Sequence, residues 1–146
     1  MNKFSNLIQE IEYNFLKSQL PNFLIGDLVR IGVSVQEAGK ERIQSFDGTV
    51  IALHPSGLNT TITIRKVTHG FGVERIIPIH APCIKTLQIL RRSRVSRGKL
   101  YYLRNRRGKL TRLKENFDKI PAPWIDPNID QKQNSKVSKK KHLLKK

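Results

Sequence analysis

Side chains able to hold a metal ion or attack a bond are few in this sequence and scattered along it. His54, His69, His80 and Cys83 are the soft ligands of the N-terminal two thirds, and only His80 and Cys83 stand close together. A structural zinc site needs four ligands, usually as two such pairs, so no metal or other cofactor is expected. Asp27, Asp47 and Glu74 are isolated, and Glu41 beside Arg42 reads as a pair flanking a turn. Metal-assisted hydrolysis and acid–base catalysis need clustered carboxylates or a nucleophile beside a base. No enzymatic activity is therefore expected. Gly70-Phe71-Gly72 lacks the third glycine and the strand-to-helix setting of a dinucleotide fingerprint, and a turn suffices to explain it.

Chemistry of another kind is concentrated in residues 91–112, RRSRVSRGKLYYLRNRRGKLTR, which carry ten cations and no acid. An arginine offers a rigid fork of donors that suits phosphate oxygens and a plane that stacks on bases. The candidate phosphate ligands are Arg91, Arg92, Arg94, Arg97, Lys99, Arg104, Arg106, Arg107, Lys109 and Arg112. Lys40, Arg42, Lys66, His69 and Arg75, placed on loops between strands, are secondary candidates. Leu100, Tyr101, Tyr102 and Leu103 interrupt the charges, either pinning the segment to the fold or offering rings to unpaired bases; packing is the preferred reading. The formal charge of the chain is +17, and residues 85–146 hold twenty basic against four acidic residues. A compact monomer so charged repels itself unless a polyanion compensates it, which makes nucleic acid the leading partner. A membrane-surface module would instead set lysines beside an apolar helical face.

The elements that must position this segment are short. Phe4, Leu7, Ile8, Ile11 and Phe15 recur at helical spacing, so residues 3–18 are expected to form an amphipathic helix, ended by Pro21, that packs on its own domain. From Gly26 the period becomes two: Val29, Ile31, Val33 and Val35 alternate with polar or small residues. Further strands are expected over 42–53, with a bulge or bend at Gly48, over 60–67, over 73–79 and over 85–90. Five short strands without intervening helices describe a mostly β fold, a small curled antiparallel sheet or barrel with an N-terminal helix and a basic C-terminal extension. The expected organisation is a helix at 1–20, the β domain at 21–90, an RNA-binding segment at 91–118, and a Pro-rich linker with a Lys-rich tail at 119–146. Trp124 either anchors the linker in an apolar notch or packs incidentally. The single Cys83 permits no intramolecular disulfide, which suits a reducing compartment. No stretch approaches the roughly 18 apolar residues of a membrane span, and Met1 reads as a true start with no signal or transit peptide.

Several ordered blocks carry a resemblance. Gly26-Asp27-Leu28-Val29-Arg30, then GKERIQSFDGTVIAL from Gly39, SGLNTTITIRK from Ser56, GVERIIPIH from Gly72, KLYYLR from Lys99 and RGKLTRLKE from Arg107 follow one another in series. In these blocks the chain resembles the bacterial-type large-subunit ribosomal protein nineteen family over roughly residues 5–118. The resemblance implies an SH3-like barrel behind a short helix and a structural role in the large ribosomal subunit. It also implies contact with large-subunit rRNA near the subunit interface, ribosomal proteins three and fourteen as neighbours, and a share in a bridge to small-subunit rRNA, with no homo-oligomer and no membrane. The alternative is a basic RNA-binding module outside the ribosome. GVSVQEAGKERIQ from Gly32 and the ending RLKENFD look like plastid and cyanobacterial members, so a plastid ribosome is the expected location and the bacterial cytoplasm the alternative. Ser96 and Gly98 replace the arginine and alanine frequent in the family, His80-Ala81-Pro82 replaces a serine-proline turn, and the chain beyond Asp118 exceeds the usual length.

Overall fold

The computed structural model describes residues 3–18, 20–37, 39–106, 108–117 and 120–127. A helix α1 (Lys3–Phe15) precedes five main strands: β1 (Leu28–Glu37), β2 (Lys40–His54), β3 (Thr61–Thr68), β4 (Phe71–Pro78) and β5 (Ile84–Ser93). Two short strands, β6 (Glu115–Asn116) and β7 (Trp124–Ile125), follow. All pairings are antiparallel, in the order β4-β3-β2-β1-β5-β6, with β7 also on β5. After β4 the chain crosses to the free edge of β1, so β4 and β5 are not paired and the sheet stays open.

Alternation explains the core. Val29 and Ile31 of β1, Val50 of β2, Ile62 and Ile64 of β3, Ile77 of β4, and Ile84, Leu87 and Ile89 of β5 form one buried cluster with Phe23, Ile79 and Trp124. Most are fully shielded although no second sheet covers them, so the sheet must curl over its own inner face. Each such side chain contributes about 1.5–3 kcal/mol. The result is the small, barrel-like, mostly β fold expected from the pattern.

Three local expectations need correction. The irregularity of β2 is not at Gly48, which pairs in register with Val29; it lies at Ile51, where the β2–β3 register shifts between Val50 and Ala52. Gly48 is instead a close approach, since a Cβ there would strike the Ile64 side chain and the Arg65 carbonyl. β5 continues past residue 90 to Ser93, because Arg92 and Ser93 find partners in β6. The turn expected from His69 to Gly72 contracts to His69-Gly70, with φ of 51° and 82°, and Thr68 and Phe71 already face each other across the hairpin. Positive φ at both central residues matches the right-handed twist of the flanking strands.

The helix departs furthest from expectation. It ends at Phe15, short of residue 18, and Leu7, Ile8, Ile11 and Phe15 are 54–66% exposed, so the stripe does not pack on its own domain. Among the described elements the helix has its main contact with the 3₁₀ turn Gly57–Asn59. Trp124 occupies the end of the core nearest the helix exit, where its Nε1 donates to the Ser18 carbonyl at 3.2 Å and Lys17 Nζ lies 4.7 Å from its ring. No helix among the described residues is long and apolar enough to cross a membrane.

Trp124 thus anchors the Pro-rich segment by pairing β7 with Thr86 and Leu87 of β5. Asp126 adds an ion pair to Lys85 at 3.1 Å. Relative to a chain that ends after residue 127, truncation after residue 118 removes Trp124 and is expected to cost about 3–5 kcal/mol. Chemical-denaturation midpoints of the two truncated chains make the comparison; equal midpoints would show that Trp124 contributes nothing to the core. The Lys-rich tail expected at 132–146 lies outside the described residues.

Candidate nucleic-acid interface

The basic segment is a loop tied down at three places. It leaves the sheet at Ser93 and returns at Glu115, where Ser93 pairs with Glu115 and Arg94 N–H donates to the Lys114 carbonyl at 2.9 Å. Its middle is pinned by a second apolar cluster of Ile51, Leu100 and Leu103, with Ile25, Val95, Tyr102 and Leu113 packed around it. The bulge in β2 makes this possible. By inserting one residue it turns Ile51 away from the main core, and the Ile51 carbonyl accepts the Leu100 N–H at 2.8 Å.

Around these pins the cations point outward. Arg94, Arg97, Lys99, Arg106, Lys109 and Arg112 are exposed and pair with no carboxylate among the described residues. Lys114, which composition did not single out, is also exposed on this loop. Arg107 lies outside the described residues. Arg91 and Arg92 belong to β5 and are half-buried; Arg91 pairs with Glu115 at 2.6 Å and Arg92 donates to the Asn22 carbonyl at 3.3 Å. Arg104 is gripped by Glu74, with Nε–Oε1 3.0 Å and Nη2–Oε2 2.8 Å. Glu74 also accepts from Arg65 Nη1 at 2.8 Å, and these two guanidinium groups hold its carboxyl below the usual carboxylate range.

The secondary candidates divide. Arg75 of β4 pairs with the core residue Ile64 and lies over the Phe46 ring at 4.6 Å, so it faces the opposite side of the sheet from Glu74 and the basic loop. Lys66 lies on β3 and His69 at the β3–β4 turn. Lys40 and Arg42 sit at the far end of the β1–β2 ladder, nine and seven positions beyond the Leu28–Thr49 pair, roughly 23–30 Å away. Arg42 there is paired with Glu37 at 2.7 Å, and Glu41 accepts from the Ser34 hydroxyl. Among the described residues no three His, Cys, Asp or Glu side chains gather as metal ligands.

Asp27 lies under the base of the loop, fully shielded from solvent. Its Oδ2 accepts the Leu24 N–H at 3.0 Å, while Oδ1 has no hydrogen-bond partner. Burial pushes its carboxyl above the ordinary range, against the pull of the Leu24 N–H and of nearby Arg92. The folded chain therefore keeps this proton to higher pH than the unfolded chain does, and stability falls as pH rises from the ordinary carboxylate value through the raised one. Asp27→Asn removes that slope, so the variant should gain stability over the parent between acid and neutral pH. Thermal unfolding at both pH values checks this, and a variant that loses ground toward neutral pH would show the ionised carboxylate to be stabilising.

Residues 6–116 match the family described as Ribosomal protein L19. The chain is 61% identical over 126 residues to Large ribosomal subunit protein bL19c of Prototheca wickerhamii, covering 86% of this chain and 98% of that one. Chlorella vulgaris has a protein of the same name that is 55% identical over 128 residues, covering 88% of this chain and 98% of its own. Large ribosomal subunit protein bL19 of Synechococcus sp. (strain JA-3-3Ab) is 54% identical over 112 residues, covering 77% of this chain and 88% of its own. With the family matched over most of its length and relatives well above half identical, the chain belongs to the ribosomal protein L19 family.

Proposed function

We propose that this chain is a structural constituent of the large ribosomal subunit of a plastid, and that its basic loop docks it on large-subunit rRNA. The role is architectural, as for its relatives, and involves no catalysis. The observation that carries the RNA contact is the set of six exposed cations between residues 94 and 112, on a loop pinned to the sheet by Leu100 and Leu103 and with no carboxylate partner among the described residues. Ordered cations of this kind neutralise phosphates without first breaking internal ion pairs. Arg91 and Arg92 flank that surface and Arg107 belongs to the same segment, with Lys66, His69, Arg75, Lys40 and Arg42 as outlying contacts. The β domain at 21–90 serves as the scaffold, residues 91–118 as the principal contact, and residues 119–146 as a basic extension beyond the Trp124 anchor. Contact with ribosomal proteins three and fourteen, and a bridge to small-subunit rRNA, are inherited from the family resemblance.

Expression of a tagged chain, sedimentation of the extract and RNA crosslinking of the peak fractions test this. The tag should travel with large subunits, and crosslinks should concentrate on peptides from 94–112. A chain that stays with free RNA, or crosslinks elsewhere, would favour a non-ribosomal RNA-binding module.

A further inference from the structure

Within the basic loop, one arginine is treated unlike its neighbours. Arg104 is clamped by Glu74 through both Nε and Nη2, and Glu74 is itself fixed by Arg65, whose side chain is only 12% exposed. Gly72 leaves room for this arrangement, since a Cβ there would collide with the Arg65 guanidinium. A chain of contacts from the sheet thus ends in a guanidinium whose Nε and Nη2 are occupied by a carboxylate that it shares with Arg65. Such a group is a poor phosphate ligand. What it still offers is its plane, and that plane lies over the Tyr101 ring, with Cζ 4.6 Å from the centroid.

Both partners remain open to solvent: Tyr101 is 44% exposed and the Arg104 side chain 49%. Leu100 and Leu103 on either side are buried, so the leucines do the pinning and the tyrosine is left outside it. Next to this pair, Arg97 and Arg106 lie over the Tyr102 ring at 5.3 and 4.7 Å, with no carboxylate partner among the described residues. An exposed ring with a carboxylate-held guanidinium over it, followed along the chain by a ring that carries two arginines without carboxylate partners, suits one chemistry, a single nucleotide whose base stacks while its phosphates are held.

We propose that Tyr101 and Arg104 form a stacking shelf for an unpaired nucleobase, with Arg97 and Arg106 taking the adjoining phosphates. This rests on the RNA-binding role above and assigns a base-contacting site within it. Tyr101 supplies the ring, Arg104 extends the stack, and Glu74 is a positioning residue that keeps Arg104 planar to the ring and away from phosphate. Stacking of this sort tolerates any base, so the shelf selects unpaired over paired RNA more than it reads sequence.

The full-length chain can be titrated with an end-labelled oligoadenylate of about eight nucleotides and with the same oligomer carrying abasic units, across a salt series. The parent should prefer the base-bearing oligomer by about tenfold, with similar salt slopes for the two. Tyr101→Leu should abolish that preference while leaving the salt slope unchanged, and Tyr101→Phe should retain it. Glu74→Gln frees Arg104 for phosphate, so this variant should lose preference for bases and gain about 0.7 in salt slope. Equal binding of the two oligomers by the parent, or an unaltered preference in Tyr101→Leu, would overturn the shelf while leaving the RNA interface standing. Salt-insensitive or absent binding of both oligomers would overturn the interface and the shelf with it.

Discussion

Replacing Arg94, Arg97, Arg106 and Arg112 together by alanine is expected to lower rRNA affinity by roughly three decades near physiological salt. Each phosphate neutralised releases counterions and adds about 0.7–0.9 to the slope of log affinity against log salt. At about 0.15 M salt that is roughly fivefold per contact, and four contacts compound. The slope should become shallower by about three units, while the sheet stays folded because none of the four side chains enters either core cluster. Arg30, which is paired to Asp47 and is no candidate RNA contact, forms the control, and its alanine variant should leave the slope little changed. Filter binding with large-subunit rRNA at several salt concentrations separates the two variants. Equal slope changes would mean that internal pairing does not decide which arginines reach RNA.

The double variant Leu100→Ala, Leu103→Ala should weaken RNA binding without removing a charge. Each leucine is fully or almost fully buried against Ile51, and truncating such a side chain costs about 2–5 kcal/mol. Because this cluster lies on the outer side of the sheet, apart from the main core, the expected consequence is opening of the loop ahead of the barrel. Hydrogen exchange at the Leu100 amide, now bonded to the Ile51 carbonyl, should accelerate by two decades or more, on the order of the stability lost, while Ile31 and Ile64 keep their protection. The cations survive, so the salt slope should remain near that of the parent even as affinity falls through the entropy of reordering the loop. Loss of protection throughout the sheet would show instead that the two clusters melt as one unit.

The two results separate charge from placement. Alanine at the arginines changes the slope, and alanine at the leucines changes the intercept. Neither outcome depends on the Glu74–Arg104 clamp, which makes a third, independent test.

Periodicity alone determined the strands, since Val29, Ile31, Ile62 and Ile64 alternate with polar residues and each is fully shielded in the core. Composition likewise placed the cationic surface in residues 91–112, because ten like charges need no folding partner to be recognised as a site for a polyanion. Series of long blocks in fixed order carried the family. What local pattern did not determine was whatever depends on contacts distant in the chain. The helix stripe looked like core, yet a stripe shows only what is available for burial, and Trp124, more than a hundred residues away, occupies the neighbouring end of the core. The bulge at Ile51 has no marker in the sequence, since isoleucine suits either side of a sheet and only the docking of Leu100 requires the turn outward. Glu74 looked isolated along the chain. Counting outward from His69-Gly70 places it opposite Arg65, and only the path of the loop back across the sheet adds Arg104. Ionic and aromatic partners are chosen by three-dimensional proximity, so which arginines remain available to RNA was decided by tertiary structure, while their abundance was decided by sequence.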